Sequence, residues 1–118
     1  MHWPSPVLAI DADPDRGPVL VTVEYRIDLK KRDAFLAALQ DLGRQRQRDG
    51  AYAWDLFADA SEEGRFLETF MVASWLEHLR QHQRVTNADR VLQDTIREFG
   101  AAAEPKVTHF IATRLVRP

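Results

Sequence analysis

The stretch RFLETFMVASWLEHLRQHQR, from Arg65 to Arg84, constrains the fold more than any other part of the chain. Its first half alternates, with Phe66, Glu68, Phe70 and Val72 on one face and Leu67, Thr69, Met71 and Ala73 on the other, the period of a strand. Ser74 then offers an N-cap, with Glu77 three residues on as a capping box requires. The spacing predicts a strand that runs straight into a helix starting near Trp75 and carrying His78 and His82. Glu68 falls inside an otherwise apolar strand face. Burying a charge is costly unless it is paired, so Glu68 is either a satisfied structural anion or part of a site.

The remaining elements follow by the same periodicities. A tail rich in Pro and Asp occupies residues 1–17, where Pro4, Pro6 and Pro14 limit regular structure. Within it, Val7 to Ile10 has the composition of a short edge strand, and Trp3 is expected to pack onto the domain. Residues 18–118 read as one domain. Val19 to Asp28 alternates as a first strand. Lys31 to Arg48 carries Phe35, Leu36, Leu39 and Leu42 at helical spacing, with Arg44, Arg46 and Arg48 as a solvated basic end before a Gly50 cap. Ala51 to Ala60 is a second strand, with Tyr52, Trp54 and Leu56 on one face, and forms a hairpin with the strand after Gly64. Asn87 to Phe99 is helical, Gly100 to Pro105 breaks the chain, and Lys106 to Leu115 is a fourth strand.

The order βαββαβ, with right-handed crossovers, selects an α+β, ferredoxin-like split sandwich. Two helical layers cover only one sheet face. Strands one, three and four are apolar on both, so the other face needs a partner, most simply a second copy related by two-fold symmetry.

Composition narrows the function classes. The formal net charge is -2, which gives no electrostatic footprint for nucleic acid. There is no cysteine, which excludes disulfides, thiolate chemistry and Cys-ligated metals. The first residues lack the charged and apolar regions of a signal peptide, and no apolar run has the length of a membrane span. A cytoplasmic domain is expected. No Gly-rich dinucleotide motif is present, and no cofactor is expected.

The segments GPVLVTVEYRID (Gly17 to Asp28), YAWDLFAD (Tyr52 to Asp59), FLETFMVASWLEHLRQHQRVT (Phe66 to Thr86) and VTHFIA (Val107 to Ala112) together resemble the antibiotic biosynthesis monooxygenase superfamily of dimeric α+β barrels. Within it they are most similar to the soluble C-terminal domain of the transmembrane secretion effector group of major-facilitator exporters, whose junction HWP-x-P (His2 to Pro6) resembles. The resemblance implies a homodimer formed through the sheet faces. It also implies either cofactor-independent oxidation of an aromatic or quinol substrate, or a non-catalytic ligand-sensing or dimerisation module. Trp75 matches the strand-to-helix Trp of the superfamily. Tyr25 stands where the haem-degrading members carry an Asn, which argues against haem degradation.

The candidate residues fall into sets. Trp75, His82 and His109 are the candidate catalytic group: an indole to position an aromatic ring and imidazoles that act as acid or base near neutral pH. Tyr25, Trp54, Glu68, Phe70, His78 and Arg26 are the candidate ligand-binding group, an aromatic-lined space with few polar groups. Core packing and an interface ion pair are the structural alternatives for the same residues. His78 and His82 at i, i+4 match zinc spacing, but a third ligand is missing and no metal is expected. The expected partners are a second copy and a small hydrophobic or aromatic molecule.

Overall fold

A computed structural model describes residues 16–83, 87–100 and 105–113, excepting the side chains at 82, 83, 87–89, 91 and 92. Its elements are β1 (Val19–Arg26), a 3-10 turn (Leu29–Lys31), α1 (Arg32–Arg48), β2 (Tyr52–Ala58), β3 (Arg65–Val72), α2 (Trp75–Gln83), α3 (Asn87–Arg97) and β4 (Lys106–Ile111). The sheet order is β2-β3-β1-β4, with every neighbouring pair antiparallel. This is the expected ferredoxin-like α+β topology. The proposed tail strand and Trp3 lie outside the described residues.

Alternation decides which side of the sheet the helices cover. Val19, Val21, Val23 and Tyr25 of β1 are buried, as are Phe66, Glu68, Phe70 and Val72 of β3. The register places Val107, His109 and Ile111 of β4 opposite Val23, Val21 and Val19, hence on the same face. α1 seals this face with Phe35, Leu39 and Leu42, and α3 adds Ile96. Phe35 is the hub, with ring contacts to Tyr25, Phe66 and Phe99.

Two junctions position the site. At the start of α2, Ser74 Oγ accepts from the Glu77 amide at 3.1 Å, the cap that the sequence predicts. In β2, Tyr52 pairs with Met71 but Asp55 pairs with Thr69, so β2 holds one extra residue, with Ala53 at φ 53. This bulge corrects the simple alternation: Tyr52 moves to the open face, while Trp54 and Leu56 face the helices. Gly43 of α1 makes room for Trp54, since a Cβ there would stand 2.8 Å from the indole.

Candidate functional site

The helix-covered face carries two polar centres. The first is built on Glu68, which is fully buried. Tyr25 donates its hydroxyl to Oε1 at 2.8 Å, and Trp54 donates its indole N–H to Oε2 at 2.8 Å. Arg46 donates from Nε to Oε2 at 3.0 Å and from Nη2 to Oε1 at 3.1 Å, a two-pronged grip. A carboxylate offers about four lone-pair positions, and four protein donors fill them. Glu68 is therefore a satisfied anion. Burial pushes the Tyr25 phenol well above the usual tyrosine range, and the Glu68 charge adds to it. Burial also opposes the charge on Arg46, but the Glu68 carboxylate outweighs it and raises the guanidinium pKa. Arg46 lies over the Phe70 ring, 4.8 Å from its centroid.

Arg46 is the residue that sequence reasoning missed. Its pattern with Arg44 and Arg48 suggests a solvated basic end, yet its side chain is only 15 % exposed. The available signal was its position: Phe35, Leu39, Leu42 and Arg46 continue one helical stripe.

The second centre is aromatic. Trp75 opens α2, His78 lies one turn later, and His109 projects from β4 onto the same face. Ring centroids are 5.6 Å apart for Trp75–His78, 5.6 Å for Trp75–His109 and 4.6 Å for His78–His109. Trp75 and His78 are buried and His109 is half-buried. Phe70 and His109 flank Val21 from its two sides, so Phe70 lies between the two centres.

The structure thus brings Tyr25, Trp54, Glu68 and Phe70 together, and separately Trp75, His78 and His109. The His82 backbone lies in α2, and its side chain is outside the described residues. Arg26 is a correction. It lies on the opposite, open face, is 54 % exposed and pairs with Glu62 and Glu24. Strict alternation along β1 sends Tyr25 and Arg26 to opposite sides. Among the described residues, no three acidic, His or Cys side chains converge as a metal site.

A further ion-pair set closes the β2–β3 hairpin on the open side. Arg65 donates to Glu24 Oε1 and to Asp59 Oδ2, each at 2.7 Å. Asp59 also accepts from the Ser61 amide and hydroxyl. These bonds, from Ser61 first and then Arg65, hold the Asp59 carboxyl well below its usual range. The hydrogen bond from Arg65 likewise lowers Glu24. A hollow of about 180 Å³ beside this set is lined by Phe57, Ala58, Asp59, Arg65, Phe66 and Leu67, at the opposite end of β3 from Trp75.

Solved structures share this architecture. A proposed antibiotic biosynthesis monooxygenase from Caulobacter crescentus matches with a TM-score of 0.71 at 18% identity, over 85% of this chain and 93% of that one. One from Nitrosomonas europaea matches with 0.69 at 17% identity, over 82% and 91%. A Mycobacterium tuberculosis protein matches with 0.68 at 18% identity, over 86% and 100%. The fold is that of the antibiotic biosynthesis monooxygenase-like proteins. The transmembrane secretion effector family model matches residues 1–116, and the chain belongs to that family. No curated protein matches it. No described helix is long and apolar enough to cross a membrane.

Proposed function

We propose that this domain binds a flat aromatic small molecule against Trp75, His78 and His109, and that it does so as a homodimer on the cytoplasmic side. The observation that carries the reading is the cluster of three rings within 5.6 Å of one another, an indole and two imidazoles on a face otherwise lined by Val21, Phe70 and Ile111. Few polar atoms converging on an apolar wall is the composition of a small-molecule site. Tyr25, Trp54, Glu68 and Arg46 support the wall from behind: the Glu68 lone pairs are already taken, and Phe70, which lies between this set and His109, is the residue that meets the ligand.

The homodimer reading rests on the open face. There Phe57, Phe110 and Tyr52 are 52%, 53% and 47% exposed, beside half-buried Leu20, Leu67 and Met71. A two-fold axis parallel to the strands lays Tyr52 of one protomer over Phe110 of its partner and Met71 over Leu20. Exposed apolar area of this kind marks an interaction surface.

Cofactor-independent oxidation at the same ring cluster is the second reading, favoured by the His78–His109 pair as proton acceptors. An anthrone that loses a proton from its methylene carbon reacts with dioxygen to give the quinone and one water, which balances without an added reductant.

Titrating the protein with flat aromatics and anthrones, while following tryptophan fluorescence, oxygen uptake and product absorbance, tests both readings. Saturable quenching without oxygen uptake supports binding alone. Stoichiometric oxygen uptake that is lost in His109→Leu supports oxidation. No response on any channel from a folded protein overturns both.

A further inference from the structure

Gln93 of α3 is 4% exposed, and its Oε1 has no hydrogen-bond partner among the described residues. Buried amide oxygens are nearly always satisfied, and one left without a donor is destabilising. Such an atom calls for a reason.

Its place in the fold supplies one. α1 joins the parallel strands β1 and β2, and α3 leads on to β4, so α3 runs antiparallel to α1 and parallel to β1. The end of the α3 segment is pinned by the Ile27–Gly100 bridge, and Phe99 meets Phe35 beside Tyr25. Gln93 precedes Gly100 by seven residues, four steps of helix to Arg97 at about 1.5 Å each and three through the closing turn, roughly 10 Å in all. Stepping back from Ile27 at about 3.3 Å per strand residue, that distance reaches the neighbourhood of Val23. Val23 pairs with Val107, two residues from His109 on the same strand face. Helix side chains tilt toward the helix N-terminus, which here is the direction of His109. The crossover from β3 to β4 carries α3 across β1, so by this spacing Gln93 stands about level with Val23 on the sealed face, one strand repeat from the row of His109.

We infer that Gln93 is the specificity residue of the Trp75–His78–His109 cluster: its Oε1 accepts a hydrogen bond from a ligand hydroxyl, so the ligand class is a hydroxylated aromatic rather than a bare hydrocarbon or an ether. This rests on the ligand-site reading above. The imidazoles recognise the ring system, and Gln93 selects members that carry a donor. A site built around a buried acceptor rejects an analogue that cannot donate, because the acceptor then stays unpaired.

Equilibrium dialysis with 2-naphthol and its methyl ether, 2-methoxynaphthalene, tests the inference. The wild type is expected to bind the naphthol about tenfold more tightly, the value of one such hydrogen bond. Gln93→Met should bind both probes alike, at the affinity of the wild type for the ether, with a melting temperature equal or higher because an unpaired acceptor is gone. Equal binding of both probes by the wild type overturns the inference and leaves the site reading standing. So does a naphthol preference that survives Gln93→Met. A Gln93→Met protein that melts well below the wild type, or fails to fold, also overturns it, by showing that a protein group holds the amide. Binding of neither probe by a folded wild type removes the inference together with the site.

Discussion

Glu68 and Arg46 illustrate how a buried charge becomes tolerable. The carboxylate has four donors for its lone pairs, and the guanidinium is half-sandwiched by Phe70. Removing one partner leaves the other buried and uncompensated, which costs about 3–5 kcal/mol. Arg46→Met is expected to lose that much by urea denaturation. Adding Glu68→Leu to it should cost less than the sum of the two single changes, with a coupling of about 1–3 kcal/mol. Additivity would mean that the pair does not interact in solution. Tyr25 gives a second residue-scale prediction. Its pKa is raised in the folded state, so its contribution to stability is complete below the ordinary tyrosine pKa and is lost as pH rises through the folded value. In Tyr52→Phe, which leaves Tyr25 as the sole tyrosine, tyrosinate absorbance should appear only in step with alkaline unfolding. Ionisation near pH 10 with the fold intact, about the value of a free phenol, would contradict the burial of this hydroxyl. Glu68 was legible in the sequence as a charge that needed a partner. The identity of that partner was not, because Arg46 sits among other arginines on α1 and only its helical phase sets it apart.

At the scale of elements, the strands and helices were legible because their periods are clean. The Ser74 cap and the strand-to-helix junction follow from local chemistry alone. The β2 bulge did not: Ala53 at positive φ is not a residue that announces one, and it is sheet pairing that moves Tyr52 to the other face. Arg26 follows the alternation of β1 onto the open face, where its charge partners are Glu24 and Glu62 rather than Glu68. The β2–β3 hairpin carries its own pH signature. Asp59 and Glu24 are both held below their ordinary values, so their contribution is present above pH ~4, where the unfolded carboxylates ionise, and is lost as pH falls through the folded values. Arg65→Met should therefore be less stable than the wild type at pH 7. The difference should shrink as the pH is lowered below ~4. A difference that is constant over that range would mean that the Arg65 bridges do not persist in solution.

The whole molecule presents one face sealed by helices and one left open. The sealed face holds both polar centres, and the open face holds Phe57, Phe110 and Tyr52. If the open face joins two copies, Phe110→Glu should convert a dimer into a folded monomer in sedimentation equilibrium, because an unpaired carboxylate then meets an apolar surface. A wild type that sediments as a monomer at micromolar concentration would contradict the interface. The ligand class was not legible in the sequence: His78 and His109 are separated by 30 intervening residues, and only the register of β4 on β1 brings their rings to 4.6 Å.

The most direct test of the ligand site is ¹⁹F NMR of protein labelled with 5-fluorotryptophan, which reports Trp3, Trp54 and Trp75 separately once Trp75→Phe and Trp54→Phe have assigned two of the three resonances. Titration with 2-naphthol is predicted to move the Trp75 resonance saturably while that of Trp54, held by Glu68, stays in place. A Trp75 resonance that does not respond to 2-naphthol or to any member of the aromatic panel would contradict the account.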